Sequence, residues 1–142
     1  MSGGRTMNLL EKFSDLNIDL NLLTNKAQQT KYKIKYISEY VKLWTIISAN
    51  RTEVTDITFI DCMSNAGVYK DGDCCTGIEV LNIFIYQAKQ HPDKTFNLYL
   101  NDYNSYSIEL IKRIIELSLF KEVVILTKTS GNLCEEGIKR KF

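Results

Sequence analysis

Apolar residues along this chain fall into two rhythms: stripes repeating about every 3.6 residues, and short runs without a break. Leu9, Leu10, Phe13 and Leu16 recur at helical spacing within residues 7–24. Ile34, Ile37, Val41 and Trp44 follow the i, i+3, i+4 rule over about Asn25–Ile47, and Tyr40 and Ile47 widen the stripe. Lys31, Lys35, Glu39 and Lys42 fall mainly on the other side. The polar stretch 48–56 ends that helix, and Ile57–Asp61 reads as a strand. Ile78, Leu81, Ile85 and Ala88 then define a helix over about Gly77–Lys89, with Thr76 and Glu79 spaced as a capping box at its start. Phe96–Leu100 reads as a second strand ending at Asn101-Asp102. Asn104 or Ser105 is placed to cap a third helix with Ile108, Ile111 and Ile115 inward. Glu122–Thr127 reads as a third strand, broken by Ser130-Gly131-Asn132.

The order β-α-β-α-β predicts an α/β fold, a three-layer half of a doubly wound sheet with parallel strands in the order 3-2-1, preceded by N-terminal helices. Residues 1–24 are expected to be a partly helical extension. Residues 25–142 are expected to form one α/β domain with a leading helix, incomplete at its C-terminus. Strand 1 would then be a sheet edge. Bare apolar edges are adhesive, so the N-terminal helices, a further part of a longer chain or a second copy in a homo-oligomer is expected to cover it.

Composition narrows the function classes. At 142 residues the chain is one domain's worth. Eighteen basic residues against seventeen acidic ones give no bulk electrostatic preference for nucleic acid or membrane. No apolar run approaches the roughly 20 residues that span a bilayer. The Gly-Ser start, Met1–Thr6, has no apolar segment behind it and is not a secretory signal, so a cytoplasmic location is expected. Cys62, Cys74, Cys75 and Cys134 lack the spacing of a zinc knuckle, and the only histidine, His91, stands beside Pro92. Reduced thiols and no metal site are the expectation.

Candidate chemistry concentrates between Ile57 and Glu79. A strand ends at the carboxylate of Asp61, and a loop of about 14 residues, against the usual 2–6, leads to a helix N-terminus. That arrangement is common at nucleotide and cofactor sites of α/β sheets. Asn65 and Gly67 are the loop residues best able to take φ > 0, Tyr69 can stack or donate a hydrogen bond, and Gly72 permits another sharp turn.

The pattern Asp61-x-Met63-Ser64-Asn65-Ala66-Gly67-x-Tyr69, then Gly72 and Cys75-Thr76-Gly77, resembles the D-x-F-A-G-x-G-x-Y…G…G-S-P signature of the three-Cys-motif partner proteins. Upstream, Thr30-Lys31-Tyr32-Lys33-Ile34, with Tyr36 and Trp44 following, resembles the helix that precedes the signature in that family. The resemblance covers roughly half of the chain. It implies a Rossmann-like, class I methyltransferase-like fold. It also implies an S-adenosylmethionine site in which the Asp61–Gly67 turn holds the methionyl part and the strand 2 tip holds the ribose. The residues so implicated are Asp61, Ser64, Asn65, Gly67, Tyr69, Thr76, Asn101 and Asp102. A partner protein or nucleic acid follows by the same analogy. Met63, Ser64, Asn65 and Ala66 depart from the signature, as do Cys75 and Gly77. A non-catalytic Rossmann-like interaction module that has lost cofactor binding is therefore the alternative reading. No Asp/Asn-Pro-Pro-Tyr motif and no nucleophile–base pair is visible, so catalytic residues stay unassigned. No G-x-G-x-x-G marks a dinucleotide binder.

Overall fold

The computed structural model describes Leu23, Asn25, residues 27–116 and residues 123–128. The helix expected within residues 7–24, the break at residues 130–132 and Cys134 lie outside the described residues. The elements run α1 (Gln28–Ala49), β1 (Asp56–Asp61), α2 (Thr76–Gln90), β2 (Thr95–Asn101), α3 (Ser105–Glu116) and β3 (Val123–Lys128). The three strands form one parallel sheet. Counted from the β1 edge the order is β1-β2-β3, with Ile57 opposite Phe96 and Phe96 opposite Val123.

Side chains alternate across the sheet, and this alternation decides where the core sits. Ile57, Phe96, Leu98, Leu100 and Val123 are buried on one face in a single cluster with residues of all three helices. From α2 come Ile78, Val80, Leu81, Phe84 and Ala88, and from α3 Ile108, Leu110, Ile111 and Ile114. Phe84 meets Phe96 edge to face, with ring centroids 5.5 Å apart, a favoured aromatic geometry. The alternate positions, Thr58, Ile60, Asn97, Tyr99 and Asn101, are mostly polar, and Asn97 donates to the Thr58 hydroxyl at 3.3 Å. Asn97 and Asn101 are nonetheless buried on that second face.

The α1 helix keeps its expected inner stripe, with Ile37 and Trp44 packed partly buried against the core beside Val41, and departs from it at the widening positions. Val41, Thr45 and Ala49 are its buried positions, whereas Tyr40 and Ile47 are exposed and Trp44 is half-buried. Small residues, invisible to a hydrophobic pattern, let α1 come close to α2. At the C-terminus of α1, the Asn50 side chain donates to the Ile46 carbonyl at 2.8 Å. Beyond it, Lys94 ties the α1–β1 connection to the start of β2. Its buried Nζ donates to the carbonyls of Arg51 (2.8 Å) and Val54 (2.6 Å).

The capping box expected at α2 is absent. Cys75 is the N-cap, without a side-chain cap bond, and its carbonyl accepts the N–H groups of Ile78 and Glu79, each at 3.1 Å. Thr76 lies one residue inside the helix, too far in for its hydroxyl to cap. At α3 the expectation holds: Asn104 Oδ1 accepts the Tyr106 N–H at 3.0 Å.

Candidate functional site

The connection between β1 and α2 folds back on itself. Val68 bridges Cys74 in antiparallel fashion, Tyr69 N–H donates to Asp73 O at 2.9 Å, and Cys75 N–H donates to Gly67 O at 2.8 Å. Gly72 turns this small lobe at φ +87°, and Asn65 and Gly67 also take positive φ, at 54° and 87°. Ala66, Val68 and Tyr69 are buried beneath it.

Three hydrogen bonds pin the start of the lobe to the tip of β2. Ser64 N–H donates to Asn101 O (2.8 Å), Asn101 Nδ2 donates to Cys62 O (3.1 Å), and Asn65 N–H donates to Asp102 Oδ2 (3.0 Å). Asp102 Oδ1 also accepts the Asn104 N–H at 2.9 Å. Asn101 and Asp102 are both buried. They hold the loop and the α3 entry in register.

Beside this lobe, α1, the β1 tip and the start of α2 enclose a cleft of about 430 Å³. Thr30, Lys33, Ile34 and Ile37 line it from α1, and Phe59, Ile60 and Asp61 line it from β1. The loop adds Met63, Ser64, Asn65, Tyr69 and Cys75, and α2 adds Thr76. Five residues implicated by sequence therefore meet here: Asp61, Ser64, Asn65, Tyr69 and Thr76. Gly67, Asn101 and Asp102 are not part of the lining. Gly67 is buried against α3, where an added Cβ would come within 2.8 Å of Ile114 Cδ1 and 2.9 Å of Ile111 Cγ1. Thr30 and Lys33 were not among the residues the sequence implicated. The signal that could have found them is their place in the Thr30–Ile34 stretch that resembles the family's upstream helix.

Electrostatics single out Asp61. Its Oδ1 accepts the Met63 N–H at 3.1 Å. Burial raises its pKa above the ordinary carboxylate value, against the lowering effect of that bond, and the Asp102 carboxylate adds to the rise while Lys33 opposes it. Gly77 lies behind it at the α2 N-terminus; a Cβ there would stand 3.5 Å from Asp61 Oδ2 and 2.7 Å from Leu100 Cδ2. The absent side chain makes room for Leu100, while towards Asp61 a Cβ would make only an ordinary contact.

Burial favours the protonated form of the two free thiols. Burial pushes Cys75 up to about 12, although the hydrogen bond with Tyr69 works the other way, and burial raises Cys74 to about 11. Tyr69 is itself raised to about 12, first by burial and then by Cys75. Cys74 and Cys75 are free, as expected, but Cys62 is disulfide-bonded, which corrects the expectation of reduced thiols at that position.

No protein-family model, curated protein or solved structure matches this chain. Among the described residues, no helix is long and apolar enough to cross a membrane.

Proposed function

We propose that this chain is the S-adenosylmethionine-binding part of a Rossmann-like, class I methyltransferase-like protein, similar to the three-Cys-motif partner proteins. The observation that carries this reading is Asp61. A carboxylate at a strand tip, raised in pKa by burial and facing a cleft between two helices, is stabilised by a cationic or hydroxyl-bearing ligand. The amino group of a methionyl moiety has that chemistry. Asp61 would hold it, while Lys33 and the N-terminal amides of α2 at Thr76 and Gly77 suit the ligand's carboxylate. Tyr69, Ser64 and Asn65 close the loop side, and Phe59 and Ile37 give the apolar wall. A cleft of about 430 Å³ lies within the usual range of roughly 300–1,000 Å³ for small-molecule sites. When bound, S-adenosylmethionine supplies an electrophilic methyl group; this chain's residues bind and orient it.

A second reading has its own observation. Asn101 and Asp102, the strand 2 residues implicated in holding the ribose, are engaged in pinning the loop. A Rossmann-like interaction module that has lost cofactor binding accommodates that use. Isothermal titration of the folded protein with S-adenosylmethionine and S-adenosylhomocysteine separates the two. Saturable binding, weakened at least tenfold by Asp61→Ala, supports the cofactor site. No heat at millimolar ligand removes it and leaves the module.

A further inference from the structure

The α1 helix carries a second apolar stripe, opposite the one it buries. Tyr32, Tyr36, Tyr40, Leu43 and Ile47 are 54%, 67%, 69%, 61% and 63% exposed. Their steps of four, four, three and four residues put them on one side of the helix, facing away from Val41, Thr45 and Ala49. From Tyr36 to Ile47 the spacing is that of a coiled-coil seam, so the surface fits another helix. A single exposed apolar residue needs no explanation; five on one helix face form a contiguous patch of the kind that marks an interaction site.

We propose that this stripe is the self-association surface of the chain, with α1 packing antiparallel on α1 of a second copy about a two-fold axis near Tyr40. Two features favour a second copy over an unrelated partner. The stripe is self-complementary about Tyr40: in an antiparallel pair, Tyr36 of one copy meets Leu43 of the other, and Tyr32 meets Ile47, so large rings face aliphatic side chains. A formal net charge of +1 sets up no repulsion between copies. Two-fold dimers require such an isologous surface.

The stripe offers on the order of 600 Å² per copy, hence about 1,200 Å² buried in total, the low end for a specific interface. An interface of that size is expected to give a reversible dimer with a dissociation constant in the micromolar range. None of the five stripe residues lines the cleft, although Lys33, which does, lies at the flank of the stripe.

Sedimentation equilibrium on the full chain tests it. The wild-type chain should pass from monomer to dimer between about 1 and 100 µM. Tyr40→Glu places two carboxylates at the axis and should raise the dissociation constant at least tenfold, with an unchanged circular dichroism spectrum because the side chain is exposed. Leu43→Glu, also on the stripe, should weaken the dimer in the same way. A wild-type chain that stays monomeric at 200 µM overturns the proposal, whether residues 1–24 or another protein covers the stripe. A dimer indifferent to Tyr40→Glu overturns it equally.

Discussion

The carboxylate of Asp102 accepts the backbone N–H of Asn65 at 3.0 Å, joining the end of β2 to the left-handed turn that follows β1. Its other oxygen accepts the Asn104 N–H at 2.9 Å, so one buried side chain sets both the cleft's loop and the entry to α3. Asp102→Ala leaves both amides without that acceptor and should destabilise the fold by about 2–4 kcal/mol, with Asp102→Asn costing roughly half as much. Urea unfolding of the two variants measures this. Equal midpoints for wild type and Asp102→Ala would show that water replaces the carboxylate without loss.

Gly67 sits at φ +87° with Ile111 and Ile114 against it. Gly67→Ala adds backbone strain to a steric overlap and should lower stability by about 2–4 kcal/mol, read as a fall in melting temperature. Asn65 has a similar φ of 54° but is exposed, so Asn65→Gly should leave stability within about 1 kcal/mol.

Much of this fold is legible in the sequence because its strands and two of its helices bury the residues their periodicity names. Ile57, Phe96 and Leu98, with Ile78 and Leu81, lie in the core the pattern indicates. The misreadings share a cause. Tyr40 and Ile47 satisfy helical spacing as well as Val41 does, and a one-dimensional pattern cannot tell which of two apolar stripes faces the sheet. Thr45 and Ala49 carry too little hydrophobicity to announce burial. In the candidate site, Asp61 and the turn at Asn65 follow from local chemistry. The packing of Gly67 on α3 and the use of Asp102 as a loop anchor depend on contacts distant in sequence.

Asp61 should weaken the fold it belongs to. Its folded-state pKa lies above the unfolded value, so the native state binds this proton more tightly than the unfolded chain does. The ionised carboxylate thus detracts from stability at neutral pH, and the penalty is relieved as pH falls through the raised folded value toward the unfolded one. Asp61→Asn, which keeps an acceptor for the Met63 N–H, should be more stable than wild type at pH 7, and the gain should shrink toward pH 4. Melting temperatures across that range check the sign; a variant less stable than wild type at pH 7 contradicts it.

Cys74 and Cys75, with pKa values pushed to about 11 and 12, hold a thiolate fraction on the order of 10⁻⁴ or less at pH 7. Folded protein should leave both unlabelled by a disulfide reagent over minutes and expose them on addition of guanidinium. The folded-state labelling rate should rise about tenfold per pH unit between pH 7 and 9. Rapid labelling of either at pH 7 would place a base beside it that the described residues do not provide.

The most direct test of the cofactor site follows backbone amide shifts by nuclear magnetic resonance as S-adenosylhomocysteine is added. Saturable shifts are expected at Lys33, Asp61, Ser64, Asn65, Tyr69 and Thr76. The amides of α3 should stay still, and the response should be lost in Asp61→Ala. A folded chain whose spectrum does not move at millimolar ligand, or moves only away from this cleft, contradicts it.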